Sequence, residues 1–100
     1  MLEEQWVVND LLDRYEVSNY GRIFDLEENR ELIPFADPET GELRVTLFFN
    51  DKPFRVLVKK LVASGYFLNY TSTSKISHIN GNLEDNSVLN LTLGPVHGVP

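Results

Sequence analysis

The stretch SHINGNLEDNSVLNL runs from Ser77 to Leu91 and holds one histidine, one glycine and four asparagines. Asparagine and glycine tolerate the left-handed backbone of tight turns, and asparagine side chains bond to nearby main chain. The run therefore predicts a short strand, KISHI, reversed at Asn80-Gly81-Asn82. One helical turn over SVLNL and a last strand at TL follow. A histidine on such a hairpin is either a polar residue kept for folding or a reactive one. That choice decides whether the chain is an enzyme.

Upstream, ELRVTLFF alternates apolar and polar residues at strand spacing, and Asn50-Asp51 turns it into PFRVLV, a hairpin. VKKLVASGYF then places Val58, Leu61, Val62 and Tyr66 at helical spacing, with Lys59 and Lys60 outward and Gly65 at its end. Phe54, Val56, Leu61 and Val62 are the predicted core. Further back, YEVSNYGRIFDL has strand-like residues on both sides of a turn at Asn19-Tyr20-Gly21. ELIPFA predicts one short strand, off-centre because of Pro34, and DPETGE a turn. The opening EEQWVVNDLLDR reads as a short helix or an irregular lead-in, with Trp6, Val7 and Leu11 as its apolar contacts. The fold class is α+β: small antiparallel sheets and hairpins, one helix, and the hairpin around His78.

One hundred residues make one small domain. There is no cysteine, so no disulfide framework and no thiolate metal site. The acidic N-terminus is unlike a secretory signal, and no stretch is long and apolar enough to span a membrane. The expected location is the cytoplasm. The net charge of −6 argues against simple binding to phosphate, but the charge is uneven. Residues 1–43 carry twelve carboxylates against Arg14, Arg22 and Arg30, a net −9. Residues 44–100 carry six cations (Arg44, Lys52, Arg55, Lys59, Lys60, Lys75) against Asp51, Glu84 and Asp85, a net +3.

Two separated segments together resemble a known family. YEVSNYGRI, with Trp6 upstream, is similar to the signature of a modular domain found at the N-terminus of phage and intron-encoded nucleases. FRVLVKKLVASGYF followed by ISHINGNLEDNSVLNLTL resembles the HNH homing endonucleases, which have a ββα-metal core. The matched positions are Val58 to Ala63, then Ser77 to Asn82, Asn86, and Asn90-Leu91. The resemblance implies one domain in two parts, a nuclease-associated part at about 6–50 and an HNH-like part at about 51–93, with a flexible tail at 94–100. It also implies a phage-type protein in a bacterial host cell.

In such a family a histidine takes a proton from water, and a divalent ion holds the scissile phosphate. The resemblance places His78 at the general-base position and makes Gly81, Asn86 and Asn90 the structural residues of the motif. Ser77 stands where the family has Asp or Asn, Lys59 where it has its first histidine, and Asn80 where it usually has Asp. The last metal ligand falls about twenty residues after the base by the family pattern. There the chain reads GPVHGVP, with His97 but no helix to aim it. No metal ligand set is therefore expected, and no cofactor, with Mg²⁺ or Mn²⁺ relevant only if the protein is active.

Three functions remain open. The first is a degenerate HNH-type protein, inactive or weak as a nuclease, that meets DNA through Arg44, Lys52, Arg55, Lys59, Lys60 and Lys75. The second is an acidic protein that binds and inhibits a host DNA- or RNA-processing protein through Glu27, Glu28 and Glu31. The third is a live metal-dependent nickase completed by Asn82, Asp85 or a dimer partner. On the first two, His78 marks descent rather than present catalysis. The oligomeric state is left open.

Overall fold

Strand, turn and helix signals alternate along the chain, and three small antiparallel sheets result. The structure is a computed structural model that describes residues 3–9 and 12–94. Four strands, β1 (Trp6–Val8), β2 (Tyr15–Ser18), β3 (Ile23–Asp25) and β4 (Arg30–Glu31), form the first sheet in that order. The second contains β5 (Phe35–Ala36), β6 (Leu43–Phe49) and β7 (Lys52–Leu57). Helix α1 (Val58–Tyr66) follows directly. The third sheet pairs β8 (Ile76–His78) with β9 (Leu91–Leu93), and a 3₁₀ turn (Val88–Asn90) precedes β9.

The β6–β7 hairpin follows the sequence reading. Asn50 and Asp51 both take positive φ, 51° and 62°, which closes a two-residue turn whose twist matches the strands. Alternation then puts Val45 and Leu47 in the core, each 1% exposed. The same period faces Leu47 with Phe54 across the hairpin. Yet Phe54 is 38% exposed, because β7 is an edge strand of its sheet whereas Leu47 is on the central one. The expectation of a buried Phe54 is corrected. Val56 does pack against the core, and Leu61 and Val62 are buried in it.

α1 buries Val58, Leu61, Val62 and Ala63, the stripe that i, i+3, i+4 spacing predicts. Two expectations about it change. Gly65 lies inside the last turn, and Phe67 caps the helix through its N–H to the Ala63 carbonyl. Glycine is required there by contact: a Cβ would come 2.9 Å from Val7 Cγ2 of β1. Lys59 is not an outward cation. It forms an ion pair with Glu42 and donates to the Ile76 carbonyl at 3.1 Å, which fastens the helix to both neighbouring sheets.

Within the opening segment, where a helix or an irregular lead-in was expected, Trp6–Val8 pairs with β2 as an edge strand. Leu11 lies outside the described residues. The single strand expected over ELIPFA is two, split at Leu32-Ile33-Pro34, with β4 in the first sheet and β5 in the second. Proline cannot donate to a ladder, so the chain changes sheets there. Among the described residues, no helix is long and apolar enough to cross a membrane.

Side-chain hydrogen bonds join these pieces. Tyr15, 1% exposed, accepts at its hydroxyl from the Phe48 N–H at 2.8 Å and ties β2 to β6. The Tyr66 hydroxyl lies 2.9 Å from the carbonyls of both Gln5 and Val17, tying α1 to the first sheet. Burial pushes the Tyr66 phenol upward in pKa, and the nearby Glu4 charge adds to this. Arg14 donates two bonds to Asp25, at 2.9 and 2.8 Å. That pairing holds the 2%-exposed Asp25 below the ordinary carboxylate range.

Candidate functional site

The loop after β8 is built from asparagine and aspartate side chains that bond to main chain nearby. Asn80 Oδ1 accepts from Asn82 N at 2.8 Å, and Asn82 Oδ1 from Glu84 N at 3.0 Å. Asp85 Oδ1 accepts from Ser87 N and from the Ser87 hydroxyl. Asn90 closes the loop from the other side. Its Oδ1 accepts from Asn80 N at 3.0 Å, and its Nδ2 donates to the Asp85 carbonyl at 2.9 Å. Each bond satisfies a main-chain group in a segment too irregular to pair with a strand. Gly81, at φ 77°, makes the reversal.

His78 ends β8 and is 8% exposed. Its Nε2 lies 2.8 Å from Oδ1 of Asn86, itself 4% exposed. That contact holds the ring against the loop.

The N-terminal signature docks against this loop. Asn19 Oδ1 accepts from Gln5 N at 2.7 Å and its Nδ2 donates to the Glu3 carbonyl at 3.0 Å. Its own carbonyl accepts from Val88 N at 2.8 Å. Gly21, at φ 87°, sits so close that a Cβ would lie 2.9 Å from both C and O of Asn86. The turn at 19–21 and the loop at 86–88 form one contact. The Asn-Tyr-Gly turn is legible in sequence. Its docking is not, since nothing local specifies a partner sixty-odd residues away.

The side chains at the expected metal position are engaged elsewhere. Ser77, at the position where the family has a carboxylate or amide, donates its hydroxyl to the Gly94 carbonyl at 2.6 Å. Among the described residues no three His, Cys, Asp or Glu side chains come together as a metal site. Asp85 serves Ser87 and Asn80 within the loop. His97 lies outside the described residues, as do 95–100 of the expected tail. Gly94, the first tail position, is held: its N–H donates to the Lys75 carbonyl at 2.8 Å.

No family model matches the chain. Over 79 residues it is 30% identical to an HNH endonuclease of Acanthamoeba polyphaga mimivirus, a match spanning 79% of this chain and 24% of that one. It superposes on the HNH homing endonuclease I-HmuI with a TM-score of 0.80 at 25% identity, over 90% of this chain and 52% of that one. This is the HNH endonuclease fold. The chain spans only part of the length of either relative.

The six basic residues expected at a DNA surface do not form one cluster on this HNH-type fold. Cross-strand pairing sets Thr46 opposite Arg55, Phe48 opposite Pro53 and Phe35 opposite Arg44, on the face of the second sheet turned away from the core. Arg55 lies over the Phe35 ring at 5.6 Å. Arg44 is bonded to Asp37 at 2.8 Å, which lowers the Asp37 pKa through that bond. Lys52 pairs with Phe49 and points to the opposite face at the hairpin tip. Lys59 is neutralised by Glu42, whereas Lys60 and Lys75 have no ion-pair partner among the described residues. The acidic candidates are engaged too. Glu31 takes two bonds from Arg22, at 3.1 and 2.6 Å, which lower its pKa. Glu28 pairs with Arg30 at 2.9 Å, and Glu27 lies 3.5 Å from Arg14.

Proposed function

We propose that the chain is a DNA-binding unit of the HNH endonuclease type, with a retained base-like histidine and little or no cleavage of its own. The observation that carries this is the solvent face of the second sheet. It presents Phe35 and Phe48, 37% and 41% exposed, beside Arg44 and Arg55. Cations there meet phosphates, and exposed rings meet sugars or bases. I-HmuI binds and cleaves DNA, which supports DNA as the partner. Ser77, a neutral hydroxyl bonded to the Gly94 carbonyl where the family has Asp or Asn, supports weak or absent cleavage. The two-part organisation, the phage-type setting and a bacterial cytoplasm belong to the same proposal.

The test is fluorescence anisotropy of a labelled duplex as salt is raised. Affinity should fall steeply with salt, and Arg55→Ala should lower the slope of log K against log salt by about 0.9, the worth of one phosphate contact. Absence of binding even at low salt would sink the reading.

A second reading has one observation in its favour. Glu27 and Glu28, with side chains 71% and 53% exposed, stand at the turn between β3 and β4. On this reading the acidic first half meets a basic host DNA- or RNA-processing protein. Reversing Glu27 and Glu28 to lysine should abolish capture of such a partner, and capture that survives excludes it.

A further inference from the structure

We propose that the solvent face of the first sheet docks an arginine side chain of a basic protein partner, seated between Trp6, Phe24 and Glu16. Strand alternation sends Tyr15, Val17 and Ile23 into the core and turns the opposite face of the sheet to solvent. Cross-strand pairing sets Val8, Glu16, Phe24 and Glu31 in one row on that face. Trp6 shares the face, two residues from Val8 along β1. The Trp6 and Phe24 rings meet edge to face, with centroids 6.2 Å apart and planes at 77°. They wall a crevice of about 340 Å³ that Glu16 and Arg22 complete. Val8, next in the row, is 47% exposed.

The chain's own Arg22 shows what this face holds. Its guanidinium carbon lies 5.4 Å from the Trp6 ring centroid, and its nitrogens donate to Glu4 at 2.7 Å and to Glu31 at 2.6 Å. An indole face attracts a cation through its quadrupole, and a guanidinium adds a planar fork that matches carboxylates. Glu4 and Glu31 thus neutralise Arg22. Glu16 has no ion-pair partner among the described residues, so three carboxylates against one guanidinium leave the crevice negative. What it still attracts is a cation with a flat face. Lysine, a compact and strongly hydrated charge, gains less from a ring wall. The surrounding residues 1–43, at net −9, draw a basic partner and repel phosphate. This crevice is a different surface from the Glu27–Glu28 turn and from the basic face of the second sheet, and it holds or fails independently of both.

Trp6 is the chain's only tryptophan, so its fluorescence reports on the crevice. The full chain is titrated with tetra-arginine, with tetralysine as the comparison. Tetra-arginine should shift the Trp6 emission saturably, and tetralysine should bind about threefold more weakly, the worth of the ring contact. Glu16→Gln keeps the shape and removes the charge, and should weaken tetra-arginine about threefold. Phe24→Leu, which removes one wall, should weaken it as well. Glu27→Gln, which removes a charge away from the crevice, should leave it unchanged. The proposal is overturned by the lack of a saturable shift up to about 1 mM peptide, the weak end of specific recognition. Equal losses in Glu16→Gln and Glu27→Gln, or equal binding of the two peptides, overturn it too. So does a Trp6 shift produced by duplex DNA instead, which assigns the crevice to nucleic acid. If Phe24→Leu does not fold, Glu16→Gln and the peptide comparison still decide it. The arginine response in a chain that binds no DNA leaves this inference standing and sinks the DNA-binding reading.

Discussion

Replacing Gly21 with alanine should damage the protein more than the same change at Gly41, and the difference measures how tightly the N-terminal turn is seated on the Asn86 loop. Both glycines have left-handed backbones, φ 87° and 78°. An alanine costs about 1–2 kcal/mol there through its Cβ. Its stiffer unfolded chain returns about 0.4–1 kcal/mol. These two contributions should be nearly equal at the two sites, so they cancel in the comparison. What remains is contact. At Gly41 the new Cβ would meet only Leu83 Cδ1 at 3.6 Å, ordinary packing. At Gly21 it would meet Asn86 C and O at 2.9 Å and Asn86 Cβ at 3.2 Å. Carbon atoms pack best at about 3.5–4.0 Å, and a main chain pinned by the Val88–Asn19 bond yields poorly. Overpacking of this kind costs about 1–3 kcal/mol. Gly21→Ala should therefore be less stable than Gly41→Ala by that amount. Urea unfolding at matched conditions reads it directly. In thermal melts the gap should be at least about 4 °C for a domain of this size. Equal stabilities for the two variants would show that the turn is not pressed against Asn86.

Leu61 is 7% exposed in the core, so Leu61→Ala should cost about 2–4 kcal/mol in urea unfolding. Phe54→Thr should cost well under that, since the ring is already 38% exposed; a loss as large as that of Leu61→Ala would place Phe54 in the core after all. Asp25 has its pKa lowered by its bond from Arg14, so its contribution is complete above the ordinary value of 3.8 and is lost as pH falls through the lower folded value. Asp25→Asn should flatten the acid limb of a stability–pH curve, and an unchanged limb would mean that the Arg14 pairing contributes nothing measurable to acid stability.

How much of this was legible beforehand depends on the range of the interaction. The β6–β7 hairpin was, because Asn50-Asp51 accepts positive φ and the flanking alternation fixes which side is buried. The stripe of α1 and the hairpin at His78 were readable for the same reason: period and turn chemistry are properties of neighbouring residues. The errors came where position in the whole fold overrides pattern. Phe54 has core parity but stands on an edge strand. Lys59 has a surface residue's identity but meets Glu42 and the Ile76 carbonyl. Gly65 has the look of a helix stop but makes room for Val7.

The candidate site divides in the same way. The sequence by itself determined that His78 would sit on an Asn-rich hairpin closed at Gly81, since Asn80 and Asn82 each bond to main chain two residues on. Only the tertiary structure decided what the histidine can do. Asn86 turns its amide oxygen to Nε2, Ser77 turns its hydroxyl to Gly94, and the Asn19–Gly21 turn arrives from the far end of the chain to hold the loop in place. Those contacts depend on where distant segments come to rest once the core has formed, and no local preference encodes that.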